Sequence, residues 1–415
     1  MSDLHFVFLQ GMPSPFFSRI GQELSGRGCK VTGINLCFGD RYFWRGENTV
    51  DYRGPEAGWP SFFGDFLDRE KVTDLVLLGE KRSYHLAAIR LAKLRNIRVA
   101  VTDFGYLRPD WITLEQDAMG GESLFPKDIG AIKKRAADLP ALDLSVRYAD
   151  SFRAMARGDL IYSFGNVFFS WLYPGYRRPD KRKNPFIYFP AMGVRLLSQN
   201  VRERLAQDRL NPFLAARRRF FVFALQLEHD FQIVSYSPFT GMEQPIAQVI
   251  RSFARHCDPA THLLIKSHPF DPGLRNWEKL IGRIAGECGV SKRIVYIEGG
   301  NLDHITARAA GMVTVNSTSG LKALQLGKPV KTLGQAIYDL DGLTFQKSLD
   351  SFWQSGSPPD PANVEAFLKM VAATIQIRGV FFCEPGLSQA VALAADRLYY
   401  GTVGQFWKEG NGQAA

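Results

Sequence analysis

Leu263-Leu264-Ile265-Lys266-Ser267-His268-Pro269 is the stretch from which the fold can be read. Its apolar run has no alternation, which reads as a strand buried on both faces, as in a parallel sheet. Proline has no N–H for the ladder and disfavours helix at the residue before it, so the strand stops there. Lys266, His268 and Pro269 then fall at the carboxyl end of a central strand, where open α/β sheets place their ligands. A lysine and a histidine at that place suit a phosphate, the lysine as a point charge and the histidine as a donor. An ordinary strand end, with a solvated lysine and a histidine satisfied by backbone, is the plain alternative.

Gly311-Met312-Val313-Thr314-Val315-Asn316-Ser317-Thr318-Ser319-Gly320-Leu321 repeats the pattern. It reads as a short strand, a small polar turn and a helix. Asn316, Ser317, Thr318 and Ser319 are all N-cap types, and the first helical turn offers free N–H groups and a partial positive charge. A phosphate binds such a turn readily, although a merely well-capped helix has the same sequence. Two such strand ends in one half of the chain favour a nucleotide site.

The same alternation of buried strand and amphipathic helix runs through the rest of the sequence. Phe6 to Gly11 is a buried strand ending in glycine. Phe16 to Arg27 reads as a helix, and Lys30 to Asn35 as the next strand. This βαβ opening lacks the GxGxxG of dinucleotide folds. Further strands are expected at Asp74–Gly79 and Arg98–Thr102, with a helix near Tyr84–Leu94 between them. Residues 126–215 read as mainly helical. A second strand and helix series follows, with strands at Phe220–Leu225, at the Lys266 stretch, at Ile294–Ile297 and before Asn316, and a late strand and turn at Gly327–Gly334. Helices near Asn363–Ile377 and Gly386–Tyr399 close the chain. The fold class is therefore α/β and GT-B-like, with two Rossmann-like domains facing across a cleft. The expected boundaries are 1–215 for an N-terminal, acceptor-side domain with its helical insert at about 126–215, 216–395 for a C-terminal nucleotide-sugar-binding domain, and 396–415 for a tail.

Composition bounds the function classes. The 415 residues, 46% hydrophobic and 22% charged, are those of a globular protein with room for two or three domains. No apolar run reaches the ~18 residues of a spanning helix, and the N-terminus lacks a signal core, so a cytoplasmic location is expected. The five cysteines are scattered, with no metal-ligand spacing, and read as reduced thiols. The net charge of +10 is partly local, at Arg177, Arg178, Lys181, Arg182 and Lys183 and again at Arg217 to Arg219. No nucleic-acid-binding signature accompanies these clusters, so an anionic inner-membrane surface is the better partner, with the basic loop or the aromatic segment Phe168 to Tyr173 as the contact.

Two acids stand at strand ends. Asp230 follows the Phe220 strand beside Gln226, Glu228 and His229. A carboxylate there can act as nucleophile or base at a sugar's anomeric carbon. Glu228 is its rival, since alternation would point both the same way if the strand continued, and His229 would tune its neighbour. Asp103, in the other half, suits acid/base work. Turn or N-cap roles are the plain alternatives for both. Asp339-Leu340-Asp341 matches DxD by letters only and is rejected as a metal site. No GxSxG elbow, P-loop or HExxH occurs.

Phe8-Leu9-Gln10-Gly11, Asp74 to Gly79, Gly105-Tyr106-Leu107-Arg108-Pro109-Asp110-Trp111 through Glu115, Lys266-Ser267-His268-Pro269 and Asn316 through Val330 together resemble the capsule polysaccharide KpsS/LipB family over nearly the whole chain. The resemblance implies a retaining β-Kdo transferase (Kdo is an eight-carbon acidic sugar). It would use CMP-Kdo to start the poly-Kdo linker on (lyso)phosphatidylglycerol, peripherally at the inner membrane, with a KpsC-like transferase and the capsule export machinery as neighbours. It further implies Asp230 as nucleophile after Gln226 and His268-Pro269 at the CMP phosphate, and it draws Gly11 and Arg108 into the substrate site. The family commonly carries two acids before Gly-Tyr-Leu-Arg-Pro, whereas this chain has Asp103 followed by Phe104. No metal and no cofactor is expected, because Lys266, His268 and the Asn316 turn supply positive field for one phosphate. A transferase for another nucleotide sugar, a sugar epimerase, or a non-catalytic polysaccharide-binding or export subunit on the same fold are the other readings.

Overall fold

The structure, a computed structural model, describes residues 3–178, 182–228 and 230–404. The chain divides into two compact units: Met1–Pro126 with Leu139–Asp180 and Leu368–Ala415, and Lys127–Asp138 with Lys181–Phe367.

The first unit is built on a sheet of β1 (His5–Leu9), β2 (Lys30–Asn35), β3 (Thr49–Asp51), β4 (Asp74–Leu78), β5 (Arg98–Phe104), β6 (Trp111–Gln116) and, from the far end of the chain, a strand at Gln376–Arg378. Its order is Gln376–Arg378, β6, β5, β4, β1, β2, β3. The pairs from β3 to β5 are parallel, while β6 runs antiparallel to β5 and the Gln376 strand antiparallel to β6. The apolar runs of β1 and β4 are buried at every position, as two covered faces demand. Strand order reverses between β1 and β4, which makes the loops after them the switch point of this sheet.

The second unit has β7 (Phe220–Ala224), β8 (His262–Lys266), β9 (Ile294–Ile297), β10 (Gly311–Thr314) and β11 (Val330–Thr332), all parallel, in the order β11-β10-β7-β8-β9. Phe221, Phe223, Leu225, Leu263, Ile265, Val313 and Val315 pack into one core beneath the helix Glu243–His256. The switch point lies between β7 and β10.

Three expectations change. Trp111–Gln116 is a strand, and it receives Gln376–Arg378 as an edge partner, where the sequence reading assigns no element to the first and the end of a helix to the second. Gln376 is fully buried and donates to Thr113 Oγ1 at 2.9 Å, so a polar residue closes this sheet. The helical stretch is not one insert of the N-terminal domain. The helix Phe152–Phe168 belongs to the first unit, held by Tyr162 OH on Asp40 at 3.0 Å, whereas Ile129–Ala136, Pro185–Leu197 and Gln199–Ala215 belong to the second. The expected division at 215 and the separate tail from 396 differ from the observed one because the chain returns to the first unit at Leu368. There the helix Gly386–Tyr399 lays Leu387, Val391 and Leu398 against Phe16, Ile20 and Leu24 of the helix Phe16–Gly26. Residues 405–415 of that tail, Lys181 of the basic loop, and His229 lie outside the described residues. No helix among the described residues is long and apolar enough to cross a membrane.

Candidate functional site

In the second unit, the switch point is closed by two amides. Leu225 and Val315 point into the core, so Gln226 and Asn316 meet on the other face. Gln226 Nε2 donates to Asn316 Oδ1 at 2.9 Å, and the Asn316 backbone N–H returns a bond to Gln226 Oε1 at 3.1 Å. Asn316 Nδ2 donates to the Gln232 carbonyl at 2.7 Å. This pairing fixes the loop after β7 to the loop after β10, and Gln226 is only 5% exposed.

Lys266 ends β8 on the same side, because Leu263 and Ile265 face the core. It is 5% exposed, and its ammonium makes a long bond, 3.4 Å, to the Ser267 carbonyl. Burial lowers its pKa from the ordinary lysine value, with the Glu203 charge pulling the other way. A buried cation so thinly partnered is poised for an anion. His268 follows, with Nδ1 accepting from the Phe270 N–H at 3.1 Å, so a neutral ring carries its proton on Nε2. Pro269 is exposed beyond it.

Ser317 N-caps the helix Thr318–Gln325 by accepting from the Ser319 N–H at 3.2 Å. The Tyr338 hydroxyl donates to the Ser317 carbonyl, and a Cβ at position 320 would lie 2.3 Å from that hydroxyl, so Gly320 is required for the approach. The Ser319 hydroxyl is buried with no partner among the described residues. Lys266, His268, Asn316, Ser317, Thr318 and Ser319 thus all fall at the carboxyl edge of one sheet.

The two acids of the Gln226 loop separate. β7 stops at Ala224, so strand alternation does not carry Glu228 and Asp230 to one side. Asp230 N-caps the short helix Phe231–Tyr236, accepting from the Gln232 N–H at 2.9 Å. Glu228 is ion-paired with Arg275 at 2.9 Å, and burial raises its pKa against that charge. Asp230 is thereby tied through Gln232 to Asn316, while Glu228 is committed to Arg275.

In the first unit, Asp103 lies in β5 two register steps from Glu115 of β6, on the same face. Burial raises the Asp103 pKa, opposed by the Phe104 N–H at 2.7 Å and the charges of Arg108 and Arg82. Phe104 faces the other way, edge-on to Phe381 at 5.2 Å, and carries the Arg108 guanidinium 4.9 Å above its ring. Gly11 follows Gln10, whose φ is +35°, and a Cβ on it would strike Phe17 at 2.7 Å.

Sequence reading missed Glu80, Glu115 and Arg82. Glu115 accepts from the hydroxyls of Tyr106, at 2.8 Å, and Ser123, and burial pushes its pKa to about 8. Glu80, next after Gly79 at the end of β4, is 4% exposed, and its Oε1 has no partner among the described residues. Burial above all, then the Asp103 charge, raises its pKa to about 7. The signal was present, for Glu80 ends the apolar run Asp74–Leu78 as Lys266 ends its own. Asp339 and Asp341 of the DxD letters accept from Thr344 and the Gly342 N–H. Among the described residues no group of three acids, histidines or cysteines is arranged to hold a metal.

Comparison with known proteins bears on this arrangement. The chain is 29% identical over 388 residues to the capsule polysaccharide export protein KpsS of Escherichia coli, covering 92% of this chain and 98% of that protein. It is 28% identical over 396 residues to the capsule polysaccharide modification protein LipB of Neisseria meningitidis serogroup B, covering 92% of each. A solved structure described as Thermosulfurimonas dismutans KpsC, beta Kdo 2,7 transferase, aligns at a TM-score of 0.47 and 15% identity over 95% of this chain and 99% of that one. The family model described as capsule polysaccharide biosynthesis protein matches residues 73–382, which takes in both strand-end clusters, and the chain therefore belongs to the capsule polysaccharide biosynthesis family.

Proposed function

We propose that this protein is a retaining β-Kdo transferase that uses CMP-Kdo to place the first Kdo of a poly-Kdo linker on (lyso)phosphatidylglycerol. The observation that carries the reading is the thinly partnered Lys266 ammonium at the carboxyl edge of the second sheet, beside the Gln226–Asn316 clamp and the Ser317-capped helix. One phosphate needs one buried cation, one ring donor and one helix end, and these are what Lys266, His268 and Ser317 to Ser319 offer. The sugar follows from the family resemblance and not from the cradle itself.

The reaction divides between the loops. The Asp230 carboxylate attacks the anomeric carbon, and the bond to the phosphate oxygen breaks with its electron pair leaving on CMP, which needs no proton. The acceptor hydroxyl then displaces Asp230 and gives up its proton to a general base, the role for which Asp103 is the candidate read from sequence. Gln226 and Asn316 hold the Asp230 loop, and the family resemblance assigns Gly11 and Arg108 to binding CMP-Kdo. The chemistry asks for no metal and no cofactor.

Each unit has a surface suited to an anionic inner membrane. Phe168 and Trp171 are exposed shortly before Arg177 and Arg178, and Leu197 is exposed on the apolar helix Pro185–Leu197 that follows Arg182 and Lys183. The second reading is a capsule polymer-binding or export subunit, favoured by the word export in the name of the Escherichia coli relative. Thermal shift against CMP-, UDP- and GDP-linked sugars and against capsule polymer separates the two. A shift with CMP-Kdo alone supports the transferase, and a shift with polymer alone supports the subunit.

A further inference from the structure

A groove on the first unit carries positive charge that the fold leaves unmatched. It is lined by the loop after β1, the start of the helix Phe16–Gly26, the end of the short helix Phe38–Phe43 and the first turns of the helix Phe152–Phe168. Close contacts fix these walls. A Cβ at Gly158 would lie 2.2 Å from the Pro13 carbonyl oxygen, and one at Gly39 would lie 2.3 Å from the Tyr162 ring, so the long helix sits directly on its neighbours. The Gly39 N–H donates to Asn166 Oδ1 at 2.7 Å across the same seam.

Arg45, Arg153 and Arg157 line the groove, and none has a side-chain hydrogen bond or ion pair among the described residues. Arg153 and Arg157 are one helical turn apart on one face, where like charges repel. The Arg45 N–H is tied to Ser18 Oγ at 3.1 Å, which fixes the third arginine against the helix Phe16–Gly26. That helix begins at the groove with no acidic residue in its first turn, so its positive end adds to the field. Arg19 differs, since it is ion-paired with Glu384 and donates to Ser388 Oγ at 2.8 Å. No acid is among the described residues that line the groove, and Tyr42, Phe43, Ile161 and Phe382 make its apolar side. Its volume of about 660 Å³ is that of a small-ligand site.

Three arginines without a counter-charge call for an anion, and guanidinium suits a phosphate. The apolar side calls for hydrocarbon on the same molecule. A sugar chain would need carboxylates and amides for its hydroxyls, and the groove offers one amide, Gln22, and no acid. We infer that this groove binds an anionic phospholipid, with the phosphodiester on Arg45, Arg153 and Arg157 and the start of the acyl chain against Phe43, Ile161 and Phe382. The inference deepens the acceptor half of the proposed function and rests on that reading for the choice of phosphatidylglycerol as headgroup.

The test is isothermal titration calorimetry of the whole chain, without sugar donor, against lysophosphatidylglycerol below its micelle concentration, glycerol 3-phosphate and capsule polymer. The wild type should bind the lysolipid at least about tenfold more tightly than glycerol 3-phosphate, because the chain adds apolar burial. Arg153→Gln and Arg157→Gln should each weaken the lysolipid about tenfold, the low end for a hydrogen bond to a charged group, and should leave Tm and the CMP thermal shift unchanged. Arg41→Gln makes the same charge change on an exposed residue outside the groove and should matter by less than about twofold, since distant charge is screened. Unchanged lysolipid affinity in the Arg153 and Arg157 variants overturns the assignment, as does an equal loss in Arg41→Gln. Glycerol 3-phosphate binding as tightly as the lysolipid overturns the lipid as occupant, and so does capsule polymer binding that the two variants abolish. A wild type that transfers no sugar, yet binds the lysolipid through these arginines, keeps the groove and overturns the transferase reading alone.

Discussion

Asn316→Ala removes the clamp that joins the loops after β7 and β10. The backbone bond from the Asn316 N–H to Gln226 Oε1 has no side-chain donor to lose, but the two side-chain bonds disappear. Gln226 Nε2 is left without its acceptor in a buried place, and the partly buried Gln232 carbonyl loses its donor. An unmet buried group costs about 1–3 kcal/mol, so the pair should cost about 3 kcal/mol with the Gln232 carbonyl at the low end. In a unit of this size each kcal/mol moves Tm by roughly 2–4 °C, so the second unit should melt about 6–12 °C lower. Differential scanning calorimetry reads this. Gln226→Ala should cost a similar amount, and the double variant should cost less than the sum by about 1–2 kcal/mol, because the same bond is broken twice. The thermal shift given by CMP should fall in each single variant. A drop under about 2 °C, or strict additivity of the two substitutions, would refute the claim that these amides organise the site.

Asp230→Asn keeps a good N-cap, so stability should change by less than about 0.5 kcal/mol, while turnover falls by ~10³-fold or more and the CMP thermal shift persists. Wild-type turnover in that variant would end the nucleophile role. Lys266→Met removes a buried and thinly partnered cation, so the ligand-free protein should melt no lower than the wild type, while CMP affinity measured by calorimetry drops ~10–150-fold, the worth of a hydrogen bond to a charged group. Unchanged CMP affinity would move the phosphate elsewhere. Glu115 binds its proton up to about pH 8 when folded and releases it in the ordinary carboxylate range when unfolded, so the folded state holds the extra proton between those limits and stability falls as pH rises through them. Glu115→Gln should therefore flatten the fall in denaturant midpoint between pH 5 and 8. A parallel fall in both proteins would contradict the burial argument.

The legible part of this chain was the part written in local pattern. β2 and β9 fall on the residues where the sequence places them, and β1, β4, β7 and β8 within one or two residues, because a parallel strand covered on both faces needs an unbroken apolar run. The second cluster was legible for the same reason, since Lys266, His268 and Asn316 interrupt such runs. The Gln376 strand was not legible. It has three residues, its Gln376 is polar, and its pairing with Thr113 is made by tertiary structure alone. The division between units failed on the same ground, since no local signal reports that Leu368 onward returns to the first unit. Asp230 as an N-cap was one of the readings left open. Glu80 escaped although it follows the apolar run of β4, because its burial and its unpartnered Oε1 are properties of the fold.

The most direct test of the central claim is to incubate the purified protein with CMP-Kdo and lysophosphatidylglycerol, with and without EDTA, and read lipid and nucleotide by mass spectrometry. The account predicts lipid heavier by one Kdo, an equal amount of free CMP, and the same yield in EDTA. Unmodified lipid together with no thermal shift from CMP-Kdo would contradict it.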